Sequence, residues 1–321
     1  MIRTFGLVLI LATTFAGTAR AVENGSGYDT TAPTDSDISN WLTGWTQPAG
    51  EAEGTYITGW NYVGQVQSGA SGTYLGNGWV LTAGHVGAQS TITLDNEIYD
   101  MIPNSAQNIT YTENDETYTA DLTLFQISTT SLNDTVLNLP ALTISTNDPV
   151  AFSYGTPGSQ AAIIGYGGGR GETWGYNTIT AVNQPVTPEG FTYVSNDFYT
   201  ALGTITSTNP NGPGSQSITN NAQLVGGDSG GGDFIYNAAT GQWELAGINE
   251  AIGTVGDQYI SAFVQLDTYA AEINSVTAVP EPSISVLLPL SLGVILIFRA
   301  KRKRDFEQSL PTGWCRPMMR R

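Results

Sequence analysis

Three residue types that together can run acyl transfer are spread through the chain: a serine inside a glycine run, a single histidine, and an acid at the head of an apolar stretch. Residues 225–232 read V-G-G-D-S-G-G-G. Glycine suits backbone that turns tightly or comes close to a ligand. Such a loop can turn Ser229 outward while the amide N–H groups of Gly227 and Ser229 point at one spot, as an oxyanion hole requires. A serine hydroxyl is a weak nucleophile and needs a base within hydrogen-bond reach, oriented by a third group. The chain holds 1 histidine, so the base is His85, in W-V-L-T-A-G-H-V (residues 79–86). The orienting acid best fits Asp121, which opens the apolar run D-L-T-L-F-Q-I.

These groups must be carried by elements that hold them still. Short runs rich in Val, Ile, Thr and Tyr, broken by Gly and Asn turns, predict strands over 61–66, 72–75, 78–81, 91–94, 108–112 and 122–127. His85 then lies just after a buried strand, and Asp121 at the mouth of the last one. The alternative for Asp121 is a plain strand cap. Glu113, Asp115 and Glu116 form an acidic loop that reads as solvated or as a cation contact. Further on, 161–167, 243–250 and 259–265 read as strands, and 266–273 as the start of a closing helix with Leu266, Tyr269, Ala270 and Ile273 on one face.

The order His, Asp, Ser, with T-A-G-H, A-D-L-T-L-F and an intact G-D-S-G-G, resembles the trypsin/chymotrypsin-type serine proteases over roughly residues 54–275. The resemblance implies an all-β fold of two six-stranded antiparallel β-barrels, about 55–140 and 150–275, with a short C-terminal helix and the site in the cleft between them. It implies a protein or peptide substrate and neither cofactor nor metal. Gln223 would lie at the base of the specificity pocket, where an uncharged residue argues for apolar or uncharged side chains before the cut. Asn249 and Glu250 would lie on the strand along which the substrate backbone is laid, with Glu250 as a possible attraction for a basic side chain. The glycine run 167–171 would be the mobile loop beside the pocket. In animal members the acid before the nucleophile, here Asp228, is buried and pairs with an amino terminus freed by zymogen cleavage. No I-V-G-G-like activation sequence occurs near residues 56–64, and some secreted bacterial members use an arginine instead. Arg170 is therefore expected to pair with Asp228; the alternative is that backbone amides or water satisfy that carboxylate.

At 321 residues the chain has room for one large all-β domain or two small ones, and its 38 glycines fit strands and turns. Of the 28 acidic residues only Asp305 and Glu307 lie outside residues 22–298, while Arg170 is the sole basic residue inside that span. So acidic a surface repels nucleic acid and suits an extracellular or saline medium, or else a cationic partner.

Residues 1–21 read as a signal peptide: Arg3, an apolar core from Phe5 to Phe15, and Ala19-Arg20-Ala21 as the cleavage site, which would leave Val22 first. The 1 cysteine, Cys315, lies in the far tail, so the exported part folds without disulfides. Residues 22–54 read as an acidic linker or pro-segment, with a short helix where Ile38 and Trp41 recur and with Trp41 and Trp45 available to pack on the domain. Residues 278–304, with V-P-E-P-S, an apolar run 284–298 and a basic cluster, resemble PEP-CTERM sorting signals, handled by an exosortase-type processing enzyme. That run rises about 22 Å as a helix against roughly 30 Å of hydrocarbon, which suits a transient tail better than a standing membrane anchor. A basic tail, 305–321, follows. The destination is secretion, or the envelope or surface of a bacterium. The whole reads as a serine endopeptidase; the alternatives are an esterase with the same triad and a catalytically inactive surface binding or adhesion protein.

Overall fold

The structure, a computed structural model, describes Val22, residues 29–47 and 56–278, and the backbone of Val8–Ile10. The rest of the expected signal peptide and the segment beyond Ala278, with the expected sorting signal and basic tail, lie outside the described residues. Among the described residues no helix is long and apolar enough to cross a membrane.

In chain order the elements are β1 (Val8–Ile10), α1 (Gly59–Tyr62), β2 (Val63–Val66), β3 (Ser71–Gly76), β4 (Trp79–Ala83), β5 (Thr91–Leu94), β6 (Glu97–Asp100), β7 (Gln107–Glu113) and β8 (Glu116–Gln126). The second half continues with β9 (Gln160–Gly165), β10 (Thr173–Thr178), β11 (Ala181–Pro188), β12 (Ser195–Ala201), β13 (Gly203–Thr208), β14 (Ser215–Asn220), β15 (Gly232–Asn237), β16 (Gln242–Val255), β17 (Gln258–Gln265) and α2 (Ala270–Thr277). The first half forms a sheet in the order β6-β5-β2-β3-β4-β8-β7, and the second a sheet β1-β11-β12-β17-β16-β15-β9-β10, with β13 and β14 as a separate hairpin. Both sheets are antiparallel except for β1, which lies parallel on the edge of β11. The all-β, two-part antiparallel architecture with a short C-terminal helix is thus as expected, with seven antiparallel strands in each main sheet where six were anticipated and the β13–β14 hairpin in addition.

The turns explain why the first sheet folds locally. Asp95-Asn96 and Asn114-Asp115 each place two successive residues at positive φ, joining β5 to β6 and β7 to β8. Two-residue hairpins of that twist need such backbone, and Asn, Asp and Gly tolerate it best. The expected strand over 61–66 begins only at Val63, because Asn61 accepts the Thr58 amide at 2.9 Å and returns its own amide to the Thr58 carbonyl, winding one helical turn first.

One large apolar cluster joins both halves, from Leu81, Leu122 and Leu124 to Ile164, Leu245 and Ile248. The expected linker contributes to it. Ile38, Trp41 and Trp45 are buried, and Trp41 packs edge-on against Trp243 at 5.1 Å and Phe234 at 6.3 Å. Residues 29–47 are therefore part of the packed body, and their local structure is a series of turns where a short helix was expected.

Candidate active site

Strand pairing brings the chemistry together. β4 and β8 run side by side with Ala83 opposite Leu122, so the residues just past the end of β4 meet the residue just before Leu122. There Asp121 accepts the His85 amide on Oδ1 and meets His85 Nδ1 with Oδ2, both at 2.6 Å. Gly84 makes this approach possible, since a Cβ there would sit 2.9 Å from Asp121 Oδ1. Asp121 is fully buried, and its own amide donates to Ser195 Oγ at 2.9 Å. The imidazole keeps 18% of its surface exposed, the condition for meeting a substrate.

The serine loop is stapled to the first sheet. The Ser71 amide donates to the Ser229 carbonyl at 2.9 Å, Ser71 Oγ to the Gly227 carbonyl at 3.2 Å, and Thr73 Oγ1 to the Gly230 carbonyl at 3.1 Å. Gly227 and Gly230 take φ of +100° and +89°, and a Cβ on Gly230 would collide with the Ser71 carbonyl and Thr82 Oγ1. Glycine is thus required at both. Thr82, three residues before His85, places the serine loop against the strand that carries the histidine. Among the described residues the amides of Gly227 and Ser229 meet no acceptor, whereas the Asp228, Gly230 and Gly231 amides are spent inside the protein. Ser229 Oγ donates to the Glu250 carbonyl at 3.4 Å, and no hydrogen bond joins it to His85 in this arrangement.

Asp228 is fully buried and is held by backbone amides, which corrects the expected pairing with Arg170. Oδ1 accepts from Gly167 at 2.7 Å, Oδ2 from Val225 at 2.8 Å, and the Val22 amide also donates to the carboxylate. Burial outweighs these bonds and pushes Asp228 up to about 7. The geometry leaves no side-chain-sized gap here: a Cβ on Gly165 or Gly167 would lie 2.5 or 2.6 Å from Oδ1. Arg170 instead lines a polar cavity with Trp60, Asp95, Tyr166 and Glu172.

Asn249 and Glu250 lie on β16, and the Glu250 carboxyl is not the expected attraction for a basic side chain. Both are buried, because a register shift against β17 between Asn249 and Ala251 turns two successive residues inward. The Asn249 amide group donates to the Ile164 and Asp228 carbonyls, and Glu250 turns toward Asp121 and Asp197. Neither side chain lines a substrate surface. Gln223 is half-buried, two residues before Val225.

The sequence reading did not single out Phe191, whose ring lies 5.4 Å from the imidazole while 45% exposed, or Tyr193, whose hydroxyl donates to the Gly84 carbonyl at 3.1 Å. Their signal, two aromatics in a polar loop, is visible only in retrospect. Ser71, Thr73 and Thr82 were missed because alternate polar residues on a strand read as solvent-facing. Among the described residues no group of three or more His, Cys, Asp or Glu is arranged to hold a metal ion.

A family model named Trypsin matches residues 45–273. The chain belongs to the trypsin family. Solved structures similar to this family member include an HtrA-type protease, AlgW, with a decapeptide, at 19% identity and a TM-score of 0.38, covering 65% of this chain and 51% of that one. The chain thus spans about half the length of that structure. The NS6 protease from murine norovirus 1 is 14% identical with a TM-score of 0.37, over 64% of this chain and 90% of that one. Kallikrein-related peptidase 10 in complex with Zn2+ is 15% identical with a TM-score of 0.38, over 68% of this chain and 96% of that one. No curated protein matches the chain.

Proposed function

We propose that this trypsin-family chain is a serine endopeptidase that cleaves peptide bonds through an acyl-enzyme. The observation that carries the reading is the doubly bonded His85–Asp121 pair, with both contacts at 2.6 Å, beside a serine loop whose Gly227 and Ser229 amides are unspent. In the reaction Ser229 Oγ leaves the Glu250 carbonyl and attacks the peptide carbonyl carbon as His85 Nε2 takes its proton. The two amides receive the oxyanion. His85 then gives the proton to the departing amine as the C–N bond breaks, and a water molecule, deprotonated in turn by His85, releases the acyl group. Asp121 fixes the tautomer by accepting the Nδ1 proton. No cofactor enters.

Gln223 at the pocket base favours apolar or uncharged side chains before the cut. The Glu250 carboxyl, turned inward, does not invite a basic side chain. What still argues for one is the near absence of Lys and Arg in residues 22–298, which would spare a trypsin-like enzyme from itself. Profiling with a peptide library tests this, and dominant cleavage after Arg would refute it. We extend the reading to export by residues 1–21 and to sorting at the bacterial envelope through 278–304 by an exosortase-type enzyme, which intact mass of surface-extracted protein tests.

The deciding experiment is labelling with a fluorophosphonate. Labelling that vanishes in Ser229→Ala supports the serine enzyme, whereas folded protein that never labels supports an inactive binding or adhesion module. Hydrolysis of casein against a simple ester separates peptidase from esterase.

A further inference from the structure

Asp197 and Glu250 are both buried, at 0% and 3% exposure, and among the described residues none of their four carboxyl oxygens meets an N–H or O–H donor. What Glu250 does meet is carboxyl oxygen. Its carboxyl lies beside those of Asp197, on β12, and Asp121, on β8. Two carboxylates cannot share a hydrogen bond, since ionised oxygens only accept; each such contact needs a proton on one side. Asp121 is already the acceptor for the His85 amide and faces His85 Nδ1. The protons therefore belong to the Glu250–Asp197 pair.

Resting on the peptidase reading, we infer that Glu250 is a positioning residue: a neutral carboxylic acid, supported by Asp197, whose O–H donates to Asp121 from the side away from His85. The same residue offers its backbone carbonyl to Ser229 Oγ at 3.4 Å, so one bulged position touches both the nucleophile and the orienting acid. The bulge is what makes this possible. A regular strand would alternate Asn249 and Glu250 across the sheet, whereas here both face inward. The other titratable groups around the pair are Tyr199 on β12, Tyr269 before α2 and Tyr111 on β7, all held neutral by burial, with His85 across Asp121.

The arrangement gives the site a dependence on pH of its own. Burial pushes Asp197 up to about 7, with the Asp121 charge adding to the rise, and holds Glu250 well above its ordinary value, with Asp197 and Asp121 adding to the effect. As pH rises past neutrality the pair surrenders a proton, a second negative charge appears beside Asp121, and the tether on that carboxylate weakens.

The test uses the full chain and three readouts. Glu250→Leu, which removes the donor, is expected to lower kcat by about 10²-fold with KM little changed, the scale set by misplacing a catalytic group. Glu250→Gln keeps a donor toward Asp121 but cannot titrate, so it should retain most of kcat and change the alkaline limb of the kcat profile. Infrared spectra of the folded protein near pH 6 should show a protonated-carboxyl C=O band that diminishes in Glu250→Gln. Wild-type kcat in Glu250→Leu, an unaltered alkaline limb in Glu250→Gln, or no such band would each overturn the inference. Should Glu250→Leu fail to fold by circular dichroism, the isosteric Gln variant carries the test. A wild-type chain that never labels with fluorophosphonate defeats the peptidase reading instead, while the infrared band, read without turnover, decides the proton arrangement alone.

Discussion

His85 grips Asp121 with two groups, its backbone amide on Oδ1 and its ring Nδ1 on Oδ2, each at 2.6 Å. A carboxylate held this way cannot rotate, so it dictates which ring nitrogen carries the proton and leaves Nε2 free to act as base. Asp121→Asn keeps the size but presents an amide in its place, which favours the wrong tautomer. The expected result is a fall in kcat of about 10⁴-fold with little loss of thermal stability. Steady-state kinetics on a peptide substrate checks this, and a drop under tenfold would dissociate the pair from catalysis.

The triad candidates were legible because chemistry restricts them to few residue types: one histidine, one serine in a glycine loop, one acid at a strand head. The glycines were legible for the same reason, since Gly227 at φ +100° admits no other residue without strain. What was not legible depends on pairing across long stretches of chain. Asp197 sits in S-N-D-F-Y, where alternation alone does not say which face is inward, and Glu250 faces inward only because of a bulge. β13 and β14 were not legible because their Thr and Ser side chains bond one another across the hairpin, Thr204 to Thr219 at 3.2 Å and Thr206 to Ser217 at 2.8 Å, and the other face carries only the Ile205–Ile218 pair. The glycine run 167–171 suggested a loose loop, yet Gly167 is buried and tied to Asp228.

Ser71 sits where two sheets and the serine loop meet. Its Oγ donates to the Gly227 carbonyl at 3.2 Å and accepts the Tyr166 amide at 2.8 Å, and its side chain is fully buried. Ser71→Ala leaves both partners unsatisfied, a loss of about 1–3 kcal/mol for each buried group left without a partner. Because one partner is the residue that offers an oxyanion amide, the variant should show slower fluorophosphonate labelling as well as a lower Tm. Reduced Tm with unchanged labelling would confine Ser71 to stability.

Trp41 ties residues 29–47 to the body through Trp243 and Phe234 and has no exposed surface. Trp41→Ala should cost about 3–5 kcal/mol, as truncation of a buried aromatic does. Denaturant unfolding measures it. A cost near zero would return this segment to the status of a dispensable linker.

Stability should fall as pH rises. Burial pushes Asp197 and Asp228 to about 7 and raises Asp233, Glu172 and Glu250 as well. In the unfolded chain these groups titrate at about 3.9 to 4.3. The folded state therefore holds more protons than the unfolded one through the window from about 4 to about 7. Their contribution is fully present below the unfolded values and is lost as pH climbs through the folded ones. Tm at pH 5 should exceed Tm at pH 8, and Asp233→Asn, which removes a carboxyl with neither oxygen bonded, should flatten the difference. A Tm that rises over that interval would contradict the assignment of these carboxyls as protonated.

Val22 is fully buried among Ala161, Ile163, Phe198 and Leu224, and its amide donates to Asp228, the residue that precedes the nucleophile. Cutting between Ala21 and Val22 would convert that amide into an ammonium group at the same place, giving the buried carboxylate the positive partner it otherwise lacks among the described residues. A buried pair missing one partner typically costs about 3–5 kcal/mol, so the cut should favour the arrangement of Gly227 and Ser229 that receives the oxyanion. Removal of residues 1–21 would then also be activation. Chain beginning at Val22 is expected to label with fluorophosphonate about 10²-fold faster than chain retaining residues 1–21, the factor that ~3 kcal/mol corresponds to. A third form, with one Met placed before Val22, separates charge position from mere removal of the leader and should label as slowly as the precursor. Equal rates for all three would leave Asp228 to its amides and remove any activating role from Val22.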